Sequence, residues 1–261
     1  MDYELAGKCA VVTGASRGLG AAIAEALARE GMQLLLIARD RARLDQVAAR
    51  LTDRHGVTVD VHAADLSSAE ALANAAQAAL ASLPSIDVLI NCAGATKRGD
   101  FFALSSEDWI SGFALKFFGA VQLSKALWPA LKQSRGSIVN IAGLGARMPA
   151  ADFTIGGSVN SALLNFTKAL SEIGLRDGVR VNAVNPGFFM TDRMTHTLRL
   201  ETERTGQSTD EAAQALLARL GATRFGKPEE VGSLVAFMVS SQAQYLNGTA
   251  IELDSGVRRD I

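Results

Sequence analysis

The chain reads as a single α/β domain, a Rossmann-like doubly wound parallel sheet of about seven strands with helices on both faces. Three observations point there. Short unbroken apolar runs alternate with helical patterns from one end of the chain to the other, and strands that are apolar on both faces belong to a sheet covered by helices on both sides. The first such run leads directly into a glycine-rich turn and a helix, the arrangement that opens many ligand-binding α/β folds. The length of 261 residues suits one undivided α/β domain with a sizeable core.

The elements follow in order. Residues 8–13 form a buried strand, and 18–30 a helix with small residues on one face. A second strand spans 33–38. An amphipathic helix spans 40–55, with Asp40 at its N-cap. Strand 57–63, helix 67–83 and strand 86–91 come next, then one long helix over 105–133. Strand 137–142 precedes a second long helix, 152–175, which Asp152 is placed to cap. Strand 179–184, helix 228–240 opened by Pro228, and strand 249–253 complete the series. Residues 190–225 break the rhythm. They are helical, charged and inserted between a strand and the next helix, as a lid over the carboxyl edge of the sheet would be.

Bulk properties narrow the function classes. The 26 basic and 27 acidic side chains nearly cancel, and no basic stripe points to nucleic acid. No apolar run is long enough for a bilayer, and no basic leader with a cleavage site opens the chain. A cytoplasmic protein acting on a small molecule is the expectation. Cys9 and Cys92 then read as reduced core thiols. His55, His62 and His196 are scattered without metal-ligand spacing, so no metal is expected.

The motif with the most chemistry is Thr13-Gly14-Ala15-Ser16-Arg17-Gly18-Leu19-Gly20, between the first strand and the first helix. Such a turn lets backbone approach a pyrophosphate, and the helix N-terminus offers free N–H groups and the positive end of its dipole. Further segments stand at the ends of later strands: Asp65-Leu66, Asn91-Cys92-Ala93-Gly94, Arg180-Val181-Asn182, Asn185-Pro186-Gly187, Thr191, Arg224–Val231 and Asp254-Ser255-Gly256. In spacing and order these resemble the short-chain dehydrogenase/reductase family over residues 5–257. The resemblance implies that Gly14, Ser16, Arg17, Gly18, Leu19 and Gly20 line a dinucleotide. It further implies that Asp65 and Leu66 face its adenine, that Asn91, Ala93 and Gly94 lie along it, and that Pro186, Gly187 and Thr191 meet its nicotinamide end. It also implies a homotetramer or homodimer joined through the two long helices.

An NAD-binding member would carry a carboxylate at the end of the second strand for the ribose 2′-hydroxyl. Here Ala38 is followed by Arg39, and Arg17 lies in the glycine-rich loop. Two guanidiniums suit a 2′-phosphate, which arginine binds through paired charge-assisted hydrogen bonds. The expected cofactor is NADP(H), although Asp40 stands beside Arg39.

Family members also share an Asn, a Ser, a Tyr and a Lys that handle the proton. Matching Ile138–Ile141 and Leu163–Leu170 to the family places the Ser pair at Ala142-Gly143, the Tyr at Gly156 and the Lys at Asn160. Matching Asp108-Trp109 places the Asn at Lys116. All four positions differ, and the last two are a reciprocal exchange. Glycine cannot move a proton, and general acid–base catalysis is worth about 10²–10⁴-fold. One expectation is that Lys116, within the apolar stretch Phe113–Phe118, is desolvated and restores a titrating cation to the site, with Asn160 bonding the nicotinamide ribose. Alternatively Lys116 extends to solvent over its apolar stem. His196 could reach substrate from the lid, and Asn140 and Arg147 could flank the mouth. Three functions remain open: an oxidoreductase of atypical mechanism on a carbonyl or alcohol, a silent NADP(H)-binding protein, and non-redox chemistry such as a Schiff base at Lys116.

Overall fold

The computed structural model describes residues 2–259. Its strands are Cys9–Thr13 (β1), Gln33–Ala38 (β2), Val59–Ala63 (β3), Val88–Asn91 (β4), Ser137–Ile141 (β5), Arg180–Pro186 (β6) and Ala250–Leu253 (β7). They form one seven-stranded sheet in the order β3-β2-β1-β4-β5-β6-β7, with every pair parallel. Strand order reverses between β1 and β4. The crevice at their carboxyl ends is therefore the place where a sheet of this kind receives a ligand.

The helices are Gly18–Arg29 (α1), Arg41–His55 (α2), Ala69–Ser82 (α3), Ser106–Phe113 (α4), Gly119–Ser134 (α5), Thr154–Asp177 (α6), Asp192–Thr205 (α7), Thr209–Leu220 (α8) and Pro228–Val239 (α9). Successive residues of β1 feed opposite cores. Ala10 and Val12 pack with Ile23, Leu27, Leu44, Leu51, Val231 and Val235, from α1, α2 and α9. Cys9 and Val11 pack with Leu72, Ala79, Leu123, Leu127 and Leu131, from α3 and α5. This alternation is what a strand buried on both faces requires. Asp40 caps α2, its carboxylate accepting from Arg43 N at 3.1 Å. Among the described residues no helix is long and apolar enough to cross a membrane, and both cysteines are free thiols.

Two expectations need correction. The long helix of 105–133 is not continuous: a π turn, Ala114–Phe118, separates α4 from α5. The wider turn brings Phe117 edge-on to Phe166 of α6, with ring centroids 6.1 Å apart, while Lys116 turns inward. Asp152 does not cap the second long helix. That helix starts at Thr154 with no side-chain cap, and the Asp152 carboxylate instead accepts from Arg98 Nη1 at 2.7 Å. Between β6 and α9, helices α7 and α8 pack on a small core of their own around Leu198, Ala212, Leu217 and Phe225.

Candidate active site

The glycine-rich turn and the loop after β4 meet at the crevice. Thr13 Oγ1 donates to Ile90 O at 3.1 Å and accepts from the N–H groups of Cys92 and Ala93 at 2.9 and 3.0 Å. One hydroxyl thus fastens the two loops together. A side chain at Gly14 would stand 3.0 Å from Ala93 Cα, and one at Gly20 would collide with Gly14 O. Helix α1 begins at Gly18 with no side-chain cap, so its first amides are left for an external acceptor. Arg17 and Arg39 are exposed beside this turn. Asp65 is also exposed and accepts from Ser67 N and Oγ. Those two bonds hold its carboxyl below the ordinary carboxylate range, with Arg39 adding a smaller pull. A bare helix N-terminus, a side-chain-free approach and flanking guanidiniums fit a phosphorylated dinucleotide.

Further along the carboxyl edge, Lys116 lies among the loop after β4, the end of β5 and the start of α6. Its stem passes Gly94, where an added Cβ would sit 2.8 Å from Lys116 Cδ, and Nζ donates to Ala142 O at 2.7 Å. Burial holds the ammonium down at about 8; Cys92 opposes that shift and Arg193 adds to it. Burial likewise pushes the Cys92 thiol up to about 12, so it stays protonated. On α6 Asn160 is 3% exposed, and its Oδ1 has no hydrogen-bond partner among the described residues. A buried carbonyl oxygen without a donor is costly and marks where a ligand hydroxyl fits.

The two glycines here are positively required. Gly143 has φ 155°, which side-chain-bearing residues rarely adopt, and a Cβ there would press on Asn160 Nδ2 at 3.0 Å. A Cβ on Gly156 would collide with the Phe153 ring, which also lies 2.8 Å from the Cβ position of Gly145. Phe153 therefore fills the space a side chain at 156 would take. The Arg98 guanidinium stacks on the outer face of that ring, 4.1 Å from its centroid.

The 142–143 peptide is held from behind. Gly143 N donates to Asn185 Oδ1 at 3.1 Å, Asn185 Nδ2 donates to Glu252 Oε1 at 2.9 Å, and Arg258 Nη1 donates to the same oxygen at 2.9 Å. A relay of side chains from β6, β7 and the segment after it thus fixes the peptide whose carbonyl receives Lys116.

The structure gathers Lys116, Asn160 and Gly94 around the 142–143 peptide, and Ala93, Gly14, Ser16, Gly18, Leu19 and Gly20 at the crevice. Other expected residues do different work. Leu66 is buried in the core, 3% exposed. The Asn91 amide donates inward to Asn140 Oδ1 at 2.9 Å and Ser124 Oγ at 3.2 Å, so its side chain is committed to a buried network. Asn140 is fully buried in that network and does not flank the mouth. Gly187 is needed by the segment after β7, since its Cβ would stand 2.9 Å from Asp254 Cα. Thr191 caps α7 through Met194 N and approaches Gly18, its Cγ2 3.7 Å from that glycine's Cβ position. His196 is exposed on α7, its Nδ1 3.1 Å from Arg199, and among the described residues no hydrogen bond ties it to Lys116 or Asn160. Thr13 and Asn185 shape the site from within motifs already quoted, Phe153 from a position that reads in the sequence as apolar lining, and Arg98 and Glu252 without having been singled out. Only the position of Phe153, three residues before Gly156, could have signalled its part.

Comparison with known proteins decides the family. A family model described as Enoyl-(Acyl carrier protein) reductase matches residues 14–258. The chain belongs to the short-chain dehydrogenase/reductase family. Among the members of this oxidoreductase family it resembles is the 3-oxoacyl-(acyl-carrier-protein) reductase of Aquifex aeolicus (strain VF5), 31% identical over 98% of this chain and 100% of that one. The L-sorbose reductase of Gluconobacter frateurii, solved with NADPH and L-sorbose, superposes with a TM-score of 0.97 at 31% identity over 100% of both chains. A short-chain dehydrogenase from Burkholderia cenocepacia J2315, solved with NADP, superposes with a TM-score of 0.86 at 29% identity, covering 97% of this chain and 98% of that one.

Proposed function

We propose that this chain is an NADP(H)-dependent oxidoreductase interconverting a carbonyl and an alcohol, with Lys116 handling the proton. The observation that carries the reading is the Lys116 ammonium itself, buried at the carboxyl edge of the sheet, bonded to Ala142 O at 2.7 Å and held at about 8. An acid of that strength gives up its proton near neutrality, where general acid catalysis is most effective. The cofactor supplies the hydride, and the protein's share is binding, orientation and charge. Arg17 and Arg39 would hold the 2′-phosphate, the first turn of α1 the pyrophosphate, and the orphaned Asn160 Oδ1 a ribose hydroxyl. Lys116 Nζ has further N–H bonds beyond the one Ala142 accepts, and one of them would donate to the oxygen of the reacting carbonyl. The α7–α8 insertion would act as lid. Complexes of related proteins with NADPH or NADP support the choice of cofactor.

The four positions Lys116, Gly143, Gly156 and Asn160 mark this mechanism as atypical for the family. The test is NADPH oxidation across a panel of ketones and aldehydes, with wild type beside Lys116→Met. Turnover in wild type and a fall of about 10²-fold or more in the variant is expected, the size of a lost general acid. Equal rates in both would overturn the role of Lys116.

A second reading is a protein that binds NADP(H) without turnover. The Phe153 ring over Gly156 and the backbone of Gly143 favour it, because both close off the usual positions for proton-handling side chains. It predicts tight NADPH binding with no oxidation by any carbonyl. For assembly we propose a homodimer or homotetramer through the α4–α5 and α6 helices. Ile110 and Phe118, 61% and 49% exposed along the first of these, are apolar side chains that such a contact would cover.

A further inference from the structure

Lys116 carries its charge out of bulk water with no carboxylate against it. Among the described residues it enters no ion pair, and its Nζ makes one hydrogen bond, to the neutral Ala142 O at 2.7 Å. The ionisable groups that act on it are the Cys92 thiol after β4 and Arg193 on α7, and the second of these repels it. A buried charge is ordinarily paired. The compensation lies behind the carbonyl that the lysine meets. Ala142 O and Gly143 N belong to one peptide. Gly143 N donates to Asn185 Oδ1 at 3.1 Å, and Asn185 Nδ2 donates to Glu252 Oε1 at 2.9 Å. Only one orientation of the Asn185 amide serves both neighbours, because the peptide N–H needs an acceptor and the carboxylate needs a donor. The series therefore runs one way: carboxylate, side-chain amide, peptide amide, ammonium. An amide that donates to a negative acceptor becomes a stronger acceptor at its own oxygen, so polarisation adds along such a series.

We propose that Glu252 is the counter-charge of Lys116, acting from a distance through the amides of Asn185 and of the 142–143 peptide, with Arg258 moderating it. The setting suits this. Asn185 is 0% and Ala142 4% exposed, and the polarity of a hydrogen bond carries further where water is excluded. Parallel pairing of β6 with β7 sets Asn185 directly beside Glu252, so the sheet itself holds the junction. Arg258 Nη1 shares Glu252 Oε1 at 2.9 Å, while Glu252 Oε2 is buried with no hydrogen-bond partner among the described residues. One carboxylate oxygen thus keeps its charge unmatched by a hydrogen bond. Glu252 and Asn185 are positioning residues, since neither touches the reacting atoms. Glu252 strengthens the hold of the amine on its proton and Arg258 weakens it, so the two together set the acidity of the proton donor. The bearing on catalysis rests on the oxidoreductase reading, whereas the link between the two charges does not.

The test follows the titration of Lys116 by NMR in the full chain labelled with carbon-13 at the lysine ε carbons, the signal being identified by its loss in Lys116→Met. Glu252→Gln keeps an acceptor for Asn185 but removes the charge. It should lower the titration midpoint of Lys116 by about half a pH unit, a roughly threefold weaker hold on the proton. Arg258→Gln should raise the midpoint, a reversal of sign that mere loosening of the fold does not produce. In an Asn185→Leu background Glu252→Gln should have no further effect, because the series is already cut. The amide proton of Gly143 reads the same series without that background: it should move upfield in Glu252→Gln and downfield in Arg258→Gln. A Lys116 midpoint unmoved by Glu252→Gln would overturn the proposal. So would a shift of equal size with and without Asn185, or a Gly143 amide that does not respond, since the charges would then act through space alone. Turnover of carbonyls beside an unmoved midpoint would leave the oxidoreductase reading intact and remove Glu252 from it. The expected midpoints with no turnover of any carbonyl would uphold the relay and overturn the oxidoreductase reading.

Discussion

Lys116 is where sequence and structure meet most sharply at the scale of one residue. Its apolar neighbours Phe113, Leu115 and Phe117 announced desolvation, and the amine is indeed held at about 8, below its ordinary 10.5. What the neighbours could not announce is the partner, Ala142 O, just past the end of β5 and 26 residues away in the chain. The depressed value has two consequences with definite signs. If Lys116 is the proton donor, carbonyl reduction should slow as pH rises through about 8 and alcohol oxidation should quicken over the same range; rates that are flat there would exclude it. For stability, the folded state sheds this proton before the unfolded chain does. The destabilising contribution of this buried amine is fully present below pH 8 and shrinks towards zero as pH approaches 10.5, so stability rises across that window. Cys92, raised from 9.0 to about 12, works the other way, its contribution falling as pH climbs above 9. Chemical denaturation between pH 8 and pH 9 isolates the lysine: wild type should gain stability relative to Lys116→Met over that interval. Asn160 was legible from alignment with the family, but its orphaned Oδ1 was not. Phe153 was readable only as apolar lining, because nothing in a sequence says that its ring folds back onto its own helix at Gly156.

At the scale of elements, alternation of apolar runs with amphipathic segments located every strand to within about two residues and every helix of the sheet. This is the kind of signal that two-sided burial imposes on a sequence. The π turn at Ala114–Phe118 escaped, since one extra residue in a helical repeat leaves the surrounding pattern nearly unchanged. Yet it is the π turn that aims Lys116. Deleting Leu115 should return the segment to regular helix and swing the lysine by about 100°, one residue's worth of helical rotation. The expected outcome is a folded protein by circular dichroism that has lost both turnover and the stability gain between pH 8 and pH 9. Retention of both would mean that the turn has no part in placing the amine. The start of α6 was misjudged for a related reason. Asp152 has the composition of a cap, but a guanidinium from another loop competes for it and wins through a charge-assisted bond at 2.7 Å.

For the molecule as a whole, the order β3-β2-β1-β4-β5-β6-β7 puts the glycine-rich turn after β1 and the 142–143 peptide after β5 on the same edge of the sheet. Cofactor binding should therefore stabilise the entire fold. At a hundredfold excess over its dissociation constant NADPH should add about 2.7 kcal/mol, read as a rise in thermal midpoint. Arg39→Ala should cut the gain from NADPH down towards that from NADH and leave the NADH gain unchanged. An equal loss for both cofactors would remove Arg39 from the 2′-phosphate. The glycine-rich turn and the strand order were open to sequence reasoning because both are local or periodic. Contacts joining β5, β6 and β7 across the sheet were not, because each links residues far apart in the chain. Asn185 and Glu252, 67 positions apart, are the clearest case.

That lateral thread reaches from Arg258 through Glu252 and Asn185 to the amide of Gly143, and so to the lysine. A purification handle on the C-terminal side should therefore be removed before pH profiles are compared, since the segment it extends is joined, bond by bond, to the peptide that receives the amine.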